Sequence, residues 1–125
     1  MMNGAKEFRC GVEARDLDRM MTAFAAEARL FSPAHWKPLE GREVIQALLS
    51  VLLQTFEDFE YTDELTSAEG TTALIFSARV GKLELQGLDL IRLSSEGLIT
   101  EFTVMVRPFS ALEALMARVT EGLMA

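Results

Sequence analysis

Cysteine and histidine are almost absent from this sequence, which has one of each in 125 residues. Cys10 alone cannot form an internal disulfide, and a free thiol is typical of a reducing compartment, so we expect a cytoplasmic protein. No residues have the spacing of a metal site, and the glycine-rich motifs of nucleotide-binding proteins are missing. We therefore expect neither a metal nor another cofactor.

Basic runs, long apolar runs and linkers are also absent. The net charge is −7, and an acidic surface repels phosphate groups and anionic lipids, so we expect no nucleic acid and no membrane as partners. The longest apolar stretch, residues 44–53, is about half of what crosses a bilayer, and no signal peptide is evident. No change of composition divides the chain, which predicts a single domain over residues 1–125.

The spacing of apolar residues predicts helices first, then strands, then a closing helix. The predicted helices cover residues 4–13, 17–25 after an N-cap at Asp16, 44–56, and a last one begun by a capping box of Ser110 and Glu113. The predicted strands cover residues 28–31, 59–63, 72–80, 83–93 and 98–107. This order favours an α+β fold with an antiparallel sheet.

The strand over residues 83–93 has a single acid on an otherwise apolar face. At period two this face holds Leu83, Leu85, Gly87, Asp89, Ile91 and Leu93. A buried carboxylate costs several kcal/mol unless it is paired, hydrogen-bonded or protonated. Asp89 is therefore either a structural acid or a catalytic acid or neutral donor in an apolar pocket. Gly87 would leave room for a ligand beside it.

The only histidine and the only tryptophan are neighbours in a loop that Pro33 and Pro38 stiffen. His35 is either a second catalytic group or a solvated loop residue. Trp36 either closes a cavity as a lid or packs within its own loop. The residues alone leave both alternatives open.

Five short motifs occur in an order that resembles the NTF2-like superfamily, particularly its SnoaL-like and ketosteroid-isomerase-like branch. They lie at residues 16–18 (DLD), 24–28 (FAAEA), 41–45 (GREVI), 87–89 (GLD) and 97–102 (GLITEF). The resemblance implies a conical α+β barrel, in which a bent, mostly antiparallel sheet wraps around the N-terminal helices and a C-terminal helix follows. It also implies an apolar pocket at the wide end of the cone, which Asp89 would face.

The resemblance also assigns positions in that pocket. In ketosteroid isomerases an aspartate base removes a proton next to a carbonyl, and a tyrosine and a protonated aspartate stabilise the enolate. Asp89 matches the protonated aspartate, but Ser32 stands at the position of the base and Phe8 at that of the tyrosine. Leu49 stands where a supporting tyrosine can occur. Serine is too weak a base and phenylalanine cannot donate, so we do not expect steroid isomerisation by the standard mechanism.

We predict a protein that binds a hydrophobic, polyketide- or steroid-like molecule and transfers protons through Asp89, with His35 as the second group. The chemistry would be of isomerase, cyclase or lyase type; the alternative is a non-catalytic binding or dimerisation module. The predicted pocket residues are Phe8, Phe24, Ser32, Trp36, Leu49, Phe76, Leu85, Gly87 and Phe102. A homodimer through the outer sheet face is predicted from the apolar residues Leu88, Leu90, Ile99 and Met105.

Overall fold

The computed structural model describes residues 2–124, which form four helices and six strands. The helices are α1 (Gly4–Glu13), α2 (Leu17–Thr22), α3 (Arg42–Thr55) and α4 (Phe109–Met124). The strands are β1 (Phe24–Phe31), β2 (Leu39–Glu40), β3 (Glu57–Thr66), β4 (Thr72–Val80), β5 (Leu83–Leu93) and β6 (Ile99–Arg107). The predicted α+β class is confirmed.

All six strands belong to one bent sheet with the order β2-β1-β6-β5-β4-β3. The pairing of β1 with β6 is parallel, and the other four pairings are antiparallel. The helices cover the inner face of this sheet, where α3 packs on β1 and α4 packs on β5 and β6. The buried core fills the space between them.

Local signals explain most of the element boundaries. Asp16 caps α2 as predicted, since its side chain accepts a hydrogen bond from the backbone N–H of Arg19 at 3.1 Å. The prediction that this helix continues to residue 25 was wrong. The chain leaves the helix after Thr22 because residues from Phe24 onward pair with β6, and sheet pairing outweighs helical spacing there. The predicted capping box was also wrong, since α4 already begins at Phe109.

The sheet alternates as predicted along β4 and along most of β5, but not at the start of β6. Ile99, predicted to face outward, is fully buried. A register shift next to Leu93 pairs Leu93 with Ile99 and breaks the period-two pattern. The start of α1 is joined to the turn before β6 by a hydrogen bond from the Gly4 N–H to the Gly97 carbonyl. None of the described helices is long and apolar enough to cross a membrane.

Candidate functional site

A cavity of about 590 Å³ lies between the inner face of the sheet and the helices. Its wall is mostly apolar and includes side chains from all the long helices and from β1, β3, β4, β5 and β6. Seven of the predicted site residues line it: Phe8, Ser32, His35, Leu49, Phe76, Asp89 and Phe102. The volume is within the range of cavities that hold small organic ligands.

Asp89 is the only buried carboxyl among residues 2–124, and its side chain lines the cavity. It lies in the middle of β5, where its neighbours across the strands are Leu74 and Val104. Within the described residues, no hydrogen-bond donor and no cation is paired with its carboxyl. Loss of water on burial therefore raises the pKa of Asp89 to about 8. At pH 7 the group is mostly a neutral acid that can donate a proton.

We predicted that Gly87 leaves room for a ligand. It leaves room instead for a side chain on the neighbouring strand. It pairs with Phe76 across the strands, and a Cβ atom built at Gly87 would overlap the Phe76 ring. Gly87 itself does not line the cavity. The missing side chain thus allows the Phe76 ring to lie over β5, beside the position of Asp89, where it becomes part of the wall.

Three further predicted pocket residues do not line the cavity. Phe24 is buried behind the wall, with ring centroids 5.8 Å from Phe8 and 5.7 Å from Phe102. Leu85 is buried in the core on a strand that packs against α4. Trp36 is 95% exposed, so it does not act as a lid in this structure.

The loop between β1 and β2 brings two other predicted residues to the cavity. His35 lies on the wall, although its side chain is largely exposed. Ser32 also lies on the wall, and its hydroxyl accepts a hydrogen bond from the N–H of Ala34 at 3.3 Å. No group there activates Ser32 as a base, so His35 is the remaining candidate base from the predicted set.

Tyr61 is a cavity residue that was not predicted. It is 9% exposed, and its hydroxyl is buried without a hydrogen-bond partner in the described structure. Burial and, to a smaller extent, the charge of Asp89 raise the pKa of Tyr61. The ring packs edge-to-face with Phe59, at a centroid distance of 4.9 Å, and the guanidinium of Arg9 lies over its face, 4.9 Å from the ring centroid. The sequence signal was its place next to Phe59 in alternation, as the only tyrosine of the chain.

The charged residues of the cavity wall are all exposed except Asp89. They comprise three carboxylates, one arginine and one histidine: Glu13, Asp58, Glu60, Arg15 and His35. The guanidinium of Arg15 donates to the Leu53 carbonyl at 2.7 Å and thereby ties the α1–α2 turn to the end of α3. Glu13 and Asp58 form ion pairs with Arg9 at 3.4 Å and Arg79 at 2.8 Å, so Glu60 is the one of these three carboxylates without an ion pair among the described residues.

A family model described as a SnoaL-like domain matches residues 5–102, which is most of the chain. The chain belongs to the SnoaL-like family. Among the curated proteins, none matches this chain. The predicted NTF2-like superfamily is thus confirmed, and SnoaL-like and NTF2-like domains include isomerase- and cyclase-type enzymes as well as ligand-binding proteins.

Solved structures show the same fold. A steroid delta-isomerase from Pseudomonas aeruginosa is 39% identical, with a TM-score of 0.92 over 97% of this chain and 89% of that one. A protein with a cystatin-like fold from Silicibacter pomeroyi DSS-3 is 29% identical, with a TM-score of 0.91 over 100% and 88%. An NTF-2 like protein of unknown function from Burkholderia xenovorans LB400 is 17% identical, with a TM-score of 0.71 over 85% and 82%. The conical α+β barrel is therefore the fold of this SnoaL-like chain.

Proposed function

We propose that this SnoaL-like protein binds a neutral, hydrophobic small molecule of polyketide- or steroid-like shape and exchanges a proton with it through Asp89. The observation that carries this proposal is the buried carboxyl without a partner on the wall of an apolar cavity. A protein that needed Asp89 only for its fold would pair or solvate it. A ligand atom that accepts a hydrogen bond from the Asp89 carboxyl would offset the free-energy cost of burying that carboxyl.

The charges of the wall support a neutral ligand. Glu13 and Asp58 are paired with Arg9 at 3.4 Å and with Arg79 at 2.8 Å, and the wall also holds one further acid, Glu60, and one arginine, Arg15, so its exposed charges largely balance. A ligand with a carboxylate or a phosphate would find no cation in the buried part of the described wall, whereas a neutral polycyclic molecule would bury its apolar surface in the cavity. The 39% identical structure that is named as a steroid delta-isomerase supports the same size and polarity of ligand.

In the proposed reaction, His35 removes a proton from a carbon next to the ligand carbonyl. The electrons of that C–H bond form a carbon–carbon double bond, and the carbonyl oxygen takes the proton of Asp89. Return of both protons, with the one on carbon placed at a different atom, gives an isomer and restores the enzyme. Ser32 takes no part, since it cannot act as the base at this position.

The experiment is conversion of a Δ5-3-ketosteroid by the purified protein, followed through the ultraviolet absorbance of the conjugated product. We expect turnover above the buffer rate, and about 100-fold or more slower turnover in Asp89→Asn and His35→Gln. Trp36→Ala, in the same loop but fully outside the cavity, is the matched control and should retain the rate.

A non-catalytic binding module is the second candidate, and the absence of a strong base at Ser32 favours it. Calorimetric titration with the same steroid separates the two. Tight binding without turnover would support the module, whereas failure to bind any neutral polycyclic ketone would contradict both.

A further inference from the structure

The C-terminal helix α4 forms one side of the cavity. Its residues on the wall follow each other at helical spacing, so that they share one face of the helix: Leu115, Met116, Val119, Thr120 and Leu123. The residues that the family model matches end at 102, before α4 begins at Phe109. This side of the cavity therefore belongs to a part of the chain outside the matched family region.

The wall that α4 contributes changes from buried to exposed along the helix. Leu115 and Val119 are buried, whereas Leu123 is 49% exposed although it also lines the cavity. Each of these residues is about one turn from the next, so the helix runs about 12 Å from the buried part of the wall to the exposed part. Leu123 therefore lies at the rim of the cavity, with about half of its apolar surface in water.

Gly122 brings the last turn of α4 close to α3. A Cβ atom built at Gly122 would overlap the side chain of Val51, so the missing side chain lets the two helices approach each other here. Glycine is a poor helix former, and this contact explains its place inside α4. Because Leu123 is the next residue, the close approach of the helices also fixes the position of Leu123 at the rim.

Leu123 differs from every other exposed residue of the described wall, because it alone is apolar. The other exposed wall residues are charged or polar: Glu13, Arg15, His35, Asp58, Glu60 and Thr120. An apolar side chain that is half in water gains free energy when an apolar molecule covers it. Asp89 is buried, so a compact molecule bonded to it stays in the deep part of the cavity, and only an elongated one reaches the rim.

We propose that Leu123 is a specificity-determining residue that selects ligands long enough to reach from Asp89 to the rim. This inference rests on the proposed function, and it narrows the ligand class to elongated, neutral polycyclic molecules with an apolar outer end. The inner end accepts a hydrogen bond from Asp89, and the outer end packs against Leu123 and buries the part of that side chain now in water. A compact bicyclic molecule gains nothing from Leu123.

The experiment compares progesterone, an elongated tetracyclic ketone, with 1-tetralone, a compact bicyclic one, by calorimetric titration of the full chain. Leu123→Ala should bind progesterone about 3- to 10-fold more weakly than wild type and bind 1-tetralone equally well. Met124→Ala is the matched control, since Met124 is the next residue of α4, is 82% exposed and lies outside the cavity wall. It should leave both affinities unchanged.

Two further readouts separate this role from a structural one. Proton NOEs should join the Leu123 methyl groups to bound progesterone, and none should join them to bound 1-tetralone. Without ligand, Leu123→Ala should melt close to the wild-type temperature, because the side chain is half exposed near the end of a helix. A lower melting temperature together with weaker binding of both ketones would show a structural role and overturn the inference.

The failure of this inference differs from the failure of the proposed function. If wild type binds both ketones and Leu123→Ala changes neither affinity, the cavity is a ligand site but Leu123 does not select its ligands. If neither ketone binds to wild type up to its solubility limit, the cavity does not bind neutral polycyclic ketones, and both proposals are overturned.

Discussion

The two faces of the sheet differ in how their polar groups are paired. On the outer face, Glu101 accepts from Arg29 at 3.0 Å and lies 3.8 Å from Arg92, so that neighbouring strands carry paired charges. On the inner face, the carboxyl of Asp89 and the hydroxyl of Tyr61 are buried and have no partner among the described residues. The pairs are exposed where water is available, and the unpaired groups are buried where it is scarce.

This difference indicates which face is arranged for a ligand. Exposed ion pairs contribute at most about 1 kcal/mol each, so the outer pairs add little to stability. An unpaired buried polar group lowers stability by more than that, and such cost is common at functional sites. Apolar residues at these two positions would therefore give a more stable fold. Such a loss of stability is expected where a bound ligand supplies the missing hydrogen-bond partners.

The largest expected effect is on the inner face, from Asp89→Asn. Asp89 has a pKa of about 8 in the folded protein and about 4 in the unfolded chain. Between these values the unfolded chain has released the proton that the folded protein keeps, so stability falls as the pH rises from 4 to 8. Wild type should lose on the order of 5 kcal/mol more than Asp89→Asn over this range, measured by urea unfolding at both pH values.

Asp63→Asn provides the control for that measurement. Asp63 is exposed on β3, so its replacement should leave the pH dependence of wild type unchanged. An equal pH dependence in wild type and Asp89→Asn would contradict the account of the inner face.

The outer face is expected to bury its apolar centre against a second copy of the chain. Two neighbouring rows there hold Ala73, Leu90 and Thr103, and then Ile75, Leu88 and Met105. Leu90→Glu would place unpaired charges at the centre of a two-fold interface, a change that costs about 3–5 kcal/mol. Sedimentation equilibrium should give about 28 kDa for wild type, twice the chain mass of 13.9 kDa, and a monomer for the variant.

Leu83→Glu is the matched control for the assembly, since Leu83 is exposed at the end of β5 and outside both rows. It should remain dimeric. A wild-type monomer at micromolar concentration would contradict the predicted homodimer and leave the outer face as a solvent surface.

Gly87→Ala tests how the inner face is packed. The added methyl group would overlap the ring of Phe76, so we expect a loss of about 1–3 kcal/mol in the free energy of unfolding. Phe76→Leu in the same chain should recover part of this loss, because a smaller side chain makes room for the methyl group. Additive effects of the two substitutions would contradict the packing account.

Glu101→Gln should give the smallest effect. It removes the ion pairs with Arg29 and Arg92, whose side chains are 43% and 56% exposed. We expect less than about 1 kcal/mol, and less again in high salt. A loss above 2 kcal/mol in the free energy of unfolding that depends on protein concentration would instead show that these pairs lie inside the dimer interface.

The sequence predicted the fold well because its signals are local and periodic. The strands β4 and β5 have the predicted ends, and Asp89 was found because regular alternation placed one acid on an apolar face. The errors lie where pairing departs from that alternation. Ile99 faces inward beside the register shift between β5 and β6. A period-two pattern cannot locate such shifts.

The residues that line the cavity were harder to predict than the cavity itself. Gly87 leaves space for the Phe76 ring of the neighbouring strand, and only the pairing register shows which side chain takes that space. The exposure of Trp36 depends on the direction of a loop whose residues carry no periodic signal. Roles for Asp89 and His35 stay predictions until they are measured.

The central claim is that the inner face keeps a neutral acid ready for a ligand, and the titration of Asp89 tests it most directly. Carbon-13 NMR of the side-chain carboxyl, assigned by its absence in Asp89→Asn, follows the group from pH 3 to pH 10 in the folded protein. We expect a midpoint near pH 8, because burial without a partner raises the pKa of Asp89 to about 8. A midpoint near pH 4 would show an ionised, solvated carboxylate and would contradict the account.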